Sequence, residues 1–381
     1  MDYDLVKAFI DLNAIQKNII NLKQITNKKS EFMAVVKADA YGHGAVKTAE
    51  CAVKNKVKWL GTARLNEAVK LRKANIKANI LNFGYIHPVQ VHIANKLDII
   101  LSIYDLEMAE QLSFESKKLS KPIKVHLKID TGMGRIGMIA GNKKTIQNII
   151  KILKLPRINV KGIYTHFASA DHKDKTYAKM QLNTFISLLN DLKKHSIEFE
   201  KKHVANSAAI IDMPESHFDM VRAGIALYGL YPSIHTDRSK IKLYPAMTLK
   251  SIITSVKEVP KGFKVSYGMT YETFKKTKLA SVPIGYADGF SRLFSSNANK
   301  PAAFVLVNQV KAFIVGRVCM DQIMVDIGHI PNVKIGDEVV LIGCKKNNCI
   351  SADDLAKRIN TINYEVVSSL TNRVKKIYDK Q

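Results

Sequence analysis

Lys37 stands where an apolar run stops. The stretch Ala34-Val35-Val36 reads as the end of a buried strand, and the lysine opens the sequence KADAYGHG. Most lysines in such places snorkel, with the amine reaching water. A lysine held in a pocket can instead add its amine to a carbonyl and form a Schiff base. Residues of comparable chemistry recur where later apolar runs end. Lys128 lies near the end of IKVHLKID, with Arg135 in the Gly-rich TGMGRIG beyond it. His166 ends VKGIYTHF, and Asn206 and Ser207 end KKHVANS. Arg222 sits within MVRAGIALYG, ahead of Gly224 and Ile225. Taken singly, His166 is as often a satisfied core histidine, and Asn206-Ser207 is more often a helix cap. Their recurrence at successive strand ends outweighs both readings.

The elements that must position them follow from periodicity. Eight short β-rich runs fall at 32–38, 58–63, 79–84, 98–104, 123–130, 160–167, 201–207 and 220–229. Amphipathic helices such as 105–119 and 174–194 fill most gaps, and 8–24 reads as a helix ahead of the first strand. The last crossover, 208–219, carries only a weak helical pattern. Near-continuous apolar strands alternating with helices mean a parallel sheet. Eight units in about 200 residues favour a TIM-type (β/α)8 barrel over a doubly wound sheet. After residue 243 the texture becomes antiparallel and all-β: 247–259, 279–284, 302–308, 310–317, 323–327 and 337–343 follow in close succession. A helix-like stretch at 351–370 comes next. The chain thus divides into a barrel of 1–243 and a β-rich domain of 244–381.

Barrel chemistry sits at the C-terminal strand ends, and the loops after strands 7 and 8 commonly bind phosphate through backbone N–H groups and hydroxyls. A Schiff-base lysine beside such a cradle, built here from Ser207, Gly224 and Ile225, points to pyridoxal phosphate (PLP). TGMGRIG lacks a following Lys-Ser/Thr, so it is not a nucleotide P-loop.

Composition narrows the class. The net charge of +26 suggests a polyanion partner, but the 59 basic residues are 49 Lys and 10 Arg scattered along the chain. They form no stripe interleaved with aromatics, so no specific nucleic acid is expected. A chain so sparing with Arg keeps it where a planar, permanently charged fork is needed. Arg135, Arg222, Arg292 and Arg317 all lie in compact motif-like stretches. No run reaches the 18 or so apolar residues of a membrane span. The acidic start MDYD is unlike a signal peptide, so a cytoplasmic protein is expected. Cys344 and Cys349 form a C-x4-C pair without the second pair a zinc site needs. All four cysteines are read as free thiols, and no metal is expected.

Beyond these readings the chain strongly resembles bacterial alanine racemases. The matching stretches are AVVKADAYGHG, HLKIDTGMGRIG, THFASAD, HVANSAA, VRAGIALYG, VSYGMTY, PIGYADGFSR, VGRVCMDQIMVD and INYEVVSSL, in order from 34 to 370. The resemblance implies a PLP barrel plus a β-domain in a head-to-tail homodimer with shared active sites. It implies that Lys37 carries the cofactor and serves as one acid/base, and that Tyr267, from the other subunit, serves as its opposite. By the same resemblance Tyr41, Ser207, Gly224, Ile225 and Tyr364 hold the phosphate, beside Asn206. Arg222 faces the pyridine nitrogen, His166 links Arg222 to Tyr267, and Arg135 supports the phenolic oxygen. Met320 and Asp321 come from the partner and shape the substrate site. Lys128 matches a lysine that is carbamylated in some members. Lys375 departs from the family's frequent Pro in NRVKKIY. The implied activity is interconversion of L- and D-alanine, supplying D-alanine for peptidoglycan. Serine or broad-specificity racemases share the framework, and a PLP decarboxylase of similar architecture is a more distant alternative.

Overall fold

The computed structural model describes residues 4–296 and 303–379. The chain forms two compact units: Ala14–Ala40 with Ala45–Pro245, and residues up to Asn13 with Tyr41–Gly44 and everything from Ala246 onward.

The first unit is the expected barrel. Eight parallel strands run Glu31–Val35, Trp59–Thr62, Asn79–Asn82, Ile99–Ile103, Ile123–Asp130, Ile158–Tyr164, Lys201–His203 and Met220–Ala223. The last pairs with the first. Between the seventh and eighth, Asp219 N donates to Lys202 O and Arg222 N to Ala205 O, which all but completes the ring. Strands buried on both faces can be apolar throughout, and every residue of Trp59–Thr62 and Ile99–Ile103 is buried. Met33, Trp59, Leu81, Ile100 and Met220, from five different strands, pack as one core cluster. The covering helices have the expected spacing. Thr176–Lys194 buries Ala178, Gln181, Leu182, Phe185, Leu188 and Leu192, a single stripe at helical period.

The second unit is a mostly antiparallel sheet. Its strands run, in spatial order, Ser255–Val259, Thr277–Val282, Ile323–Asp326, Val310–Ile314, Phe304–Val307, Glu338–Lys345, Met247–Ile252, Lys7–Ile10 and Lys375–Tyr378; Asn348–Ile350 hangs off Glu338–Lys345. Among the described residues of this sheet, only Lys7–Ile10 with Lys375–Tyr378 is parallel.

Several expectations change. The 8–24 segment begins as the strand Lys7–Ile10, and the helix spans Leu12–Ile25. That strand alternates half-buried and buried residues and pairs with Met247–Ile252. It therefore belongs with the β unit and not, as the 1–243 boundary has it, with the barrel. The 247–259 run is two strands with different neighbours, because the backbone at Ile253 and Thr254 leaves one ladder to bond Asp337 O and Ser281 O. The 351–370 stretch is two helices, Ala352–Arg358 and Asn363–Ser368. The weak 208–219 helix is one short helix, Ser207–Asp212, and a 3-10 turn. Ala302, the first residue of the expected 302–308 strand, lies outside the described residues. Two thiols are not free: Cys344 and Cys349 face each other across a hairpin and are joined by a disulfide. Cys51, which is buried, and Cys319, which is half-buried, are in no disulfide. Among the described residues no helix is long and apolar enough to cross a membrane.

Candidate active site

The first barrel strand ends at Val35, and Lys37 opens a turn of unusual hand. Ala38, Asp39, Ala40 and Tyr41 have φ of 52°, 49°, 57° and 52°, and Gly42 and Gly44 continue at positive φ. Four successive L-residues in the left-handed region cost about 1–2 kcal/mol each, so the surroundings must hold the segment. Ala38 N donates to Glu67 Oε1 at 2.6 Å. Asp39 Oδ1 accepts from Ala45 N at 3.0 Å and from Lys70 Nζ at 3.1 Å. Substituting Ala38→Gly should relieve strain at one residue and raise stability by up to about 1 kcal/mol. A melting temperature equal to or below wild type would show that this position is not strained.

Lys37 is partly exposed at this rim. Desolvation, then the charges of Arg135 and Arg222, lower its amine from the ordinary lysine value, while Glu67 opposes them. Arg135 sits on the loop after the fifth strand. Asp130 organises that loop by accepting from Gly132 N and Met133 N through Oδ1 and from Gly134 N through Oδ2, at 2.8 to 2.9 Å. Gly137 closes it at φ 127°, where a Cβ would lie 2.7 Å from Asp130 N. Lys128 is 2 % exposed, and its Nζ donates to Ile129 O at 2.6 Å. Burial, then Arg222, bring its pKa down to about 7.

Arg222 is the buried centre of the unit. Nη2 lies 2.8 Å from both Thr165 O and Val204 O and 3.1 Å from His166 Nδ1; Nη1 lies 2.9 Å from His203 Nδ1. A guanidinium only donates, so His203 Nδ1 must accept and its proton sits on Nε2. That nitrogen faces His126 Nδ1 at 2.9 Å, which must accept in turn. Both imidazoles are therefore neutral with the proton on Nε2. Burial foremost, with nearby cations, holds His126 at about 3 and His203 well below the usual histidine value. His203 also stacks flat on Tyr164, centroids 4.7 Å apart.

The seventh and eighth strand ends make a compact polar turn. Asn206 caps Ser207–Asp212 by accepting from Ala209 N. Ser207 Oγ accepts from Gly224 N at 2.8 Å and Ala226 N at 3.3 Å. Tyr228, at the end of the Ile225–Tyr228 turn, donates to Val35 O at 2.8 Å. That bond ties the turn to the strand leading into Lys37. The barrel unit thus brings together Lys37, Lys128, Arg135, His166, Asn206, Ser207, Arg222, Gly224 and Ile225.

The remaining candidates lie in the β unit. Tyr41 and Tyr364 have ring centroids 6.2 Å apart. Gly42, at φ 83°, passes the Asn363–Ser368 helix so closely that a Cβ would sit 2.0 Å from Val367 O. Desolvation raises the Tyr41 hydroxyl far above its ordinary value, so it stays a donor. Tyr267 is 71 % exposed, on a turn with Ser266, Gly268 and Met269 all at positive φ. Arg317 supports that turn. Its carbonyl accepts from Ser266 Oγ at 2.7 Å, and its guanidinium would lie 2.9 Å from a Cβ on Gly268. The carbonyls of Cys319 and Met320 accept from Tyr286 N and Ala287 N. Asp321 pairs with Arg373 at 2.8 Å. Arg292 lies on a 3-10 turn, where its carbonyl accepts from Ser295 N at 3.1 Å and from Ser295 Oγ at 2.5 Å.

Sequence reasoning missed Glu67, His126, Asp130, His203 and Arg373. Asp130, ahead of a Gly run, and the histidines inside apolar strands carried a signal. Glu67 carried none, because its partner Ala38 is 29 residues away.

A nearly closed parallel barrel with a lysine, a buried arginine and a hydroxyl–amide turn at its strand ends, plus an antiparallel β unit, is the barrel-plus-β architecture of amino-acid racemases. The family models for alanine racemase match both parts, the N-terminal domain over residues 10–232 and the C-terminal domain over 246–378. The chain is 47 % identical to an alanine racemase of Methanococcus maripaludis over 97 % of its length and 98 % of the relative. It is 43 % identical to one of Clostridium tetani over 98 % and 95 %. A Clostridium difficile alanine racemase structure superposes with a TM-score of 0.93 at 40 % identity, covering 100 % of this chain and 97 % of that one. A Bacillus anthracis alanine racemase with bound L-Ala-P gives 0.93 at 36 % identity, over 100 % and 96 %. This chain belongs to the alanine racemase family, a family of isomerases.

Proposed function

We propose that this chain interconverts L- and D-alanine, using PLP held on Lys37, with Lys37 and Tyr267 as the two acid/bases. Full-length identity to alanine racemases carries the reaction, and the setting of Lys37 carries the mechanism. The residues suit the cofactor's chemistry. Ser207 Oγ accepts two backbone N–H groups, which leaves its own proton to donate to a phosphate oxygen. Tyr41 is kept protonated and is a second donor. Gly224, Ile225 and Tyr364 complete the phosphate set, Asn206 shapes its turn, and Arg135 would meet the phenolic oxygen. Arg222 cannot accept a hydrogen bond, so a pyridine nitrogen facing it would remain an acceptor. When bound, PLP supplies the electron sink that makes the substrate α-hydrogen acidic enough to remove.

Inversion requires a proton to leave one face of the α-carbon and another to arrive at the opposite face. One acid/base per face satisfies this, and each contributes about 10²–10⁴-fold. Lys37, its amine pushed down by burial and two arginines, serves one face. Tyr267 of the partner subunit serves the other, and His166 is proposed to connect it to Arg222. Tyr267, Met269, Phe274 and Met320, all in the β unit, are 71 %, 63 %, 84 % and 53 % exposed. Large apolar side chains this open are what a second copy would cover. Asp321 and Met320 of the partner subunit would then shape the substrate pocket. Lys128, near pKa 7, keeps the neutral amine fraction that carbamylation by carbon dioxide requires. A cytoplasmic role in D-alanine supply for peptidoglycan follows the family reading.

The test is direct. The purified chain with PLP should convert L-alanine to D-alanine in a chiral assay, and Lys37→Ala should abolish it. Faster inversion of L-serine than of L-alanine would overturn the substrate reading, and carbon dioxide release without inversion would overturn the reaction.

A further inference from the structure

Glu67 lies third in the helix Leu65–Lys73, and as a helix cap it needs only one carboxylate oxygen. Oε2 performs that task, accepting from Arg64 N at 3.0 Å and from Ala63 N at 2.8 Å. Oε1 faces outward from the helix and accepts Ala38 N at 2.6 Å. One turn on, Lys70 reaches Asp39 at 3.1 Å. Residues three apart share a helix face, so this face grips the two residues that follow Lys37, at the start of the left-handed turn. The groups acting on the Lys37 amine are Arg135 from the fifth strand's loop, Arg222 from the eighth strand, and Glu67. His166, at the end of the sixth strand, feels the Lys37 charge in turn. Glu67 is the one anion in that set.

We propose that Glu67 is a positioning residue for Lys37: its carboxylate anchors the left-handed turn through Ala38 N and places one negative charge among the two arginines around the Lys37 amine. The inference rests on the reading of Lys37 as the reactive amine, but it concerns only the control of that amine.

It can be tested without turnover. The full chain, stripped of cofactor, is labelled with an acetylating reagent across a pH series, and the Lys37 peptide is quantified by mass spectrometry. In Glu67→Gln the labelling midpoint should move to lower pH, because a raising charge is gone. A merely structural cap would lower the melting temperature and leave that midpoint in place. Superimposed labelling curves for Glu67→Gln and wild type would overturn the proposal. Should Glu67→Gln not fold, Glu67→Asp decides. It keeps the charge but is too short to span both sites, so hydrogen exchange in the 37–41 segment should quicken while the labelling midpoint holds. Unchanged exchange there would overturn the anchoring. Neither readout depends on racemase activity, so failure here is distinct from failure of the proposed reaction.

Discussion

Replacing Tyr267 by Phe should lower the racemisation rate by about 10²–10⁴-fold, the range a positioned acid/base contributes, with little change in melting temperature. The ring is 71 % exposed within the single chain, so losing one hydroxyl opens no cavity in that chain's own core. The turn that presents it is held by Ser266, Gly268 and Arg317, none of which needs the phenol. Because Lys37 is untouched, the variant should still exchange the α-hydrogen of one enantiomer with deuterated solvent. Exchange from both enantiomers, or retention of more than about a tenth of the racemisation rate, would mean that another group is the second base.

Acid should weaken the barrel well before its carboxylates titrate. His126 and His203 are both fully buried, and the Arg222 guanidinium forces each to be neutral. Their folded pKa values lie below the unfolded value of about 6.5. The sign follows: the unfolded chain takes up protons that the folded chain refuses, so stability is full above about pH 6.5 and is lost as pH falls. Between pH 7 and pH 5 each histidine should cost roughly 2 kcal/mol, from about 1.4 kcal/mol per pH unit once below 6.5. Urea titrations at the two pH values would measure it. A His126→Asn variant should lose less than the wild type by that one histidine's share, because His166 and His217 are also held below the usual histidine value and keep contributing. Equal stability of the wild type at pH 7 and pH 5 would contradict the neutral-pair assignment.

The sites most legible in the sequence were those set by local pattern. Lys37, His166 and Arg222 could be placed at strand ends because a parallel strand buried on both faces writes itself as a continuous apolar run. The eight runs also carried the barrel. Edges were less legible. Lys7–Ile10 was hidden because a four-residue strand beside a helical pattern has too little periodicity of its own, and its partners lie more than 200 residues away. The Cys344–Cys349 pair was misread because only hairpin register puts the two residues opposite each other.

By itself, the sequence determined the barrel-plus-β architecture, the placement of Lys37 at a strand end, and through nine matching stretches the family. These are properties of short-range order, where neighbours in the chain are neighbours in space. The tertiary structure alone decided how those residues are conditioned. The left-handed turn after Lys37 depends on Glu67 and Lys70, which reach it from another helix. The neutral state of His126 and His203 depends on an arginine from the eighth strand. Protonation and strain are set by whatever is packed within a few ångströms, and in a barrel those neighbours come from distant parts of the chain.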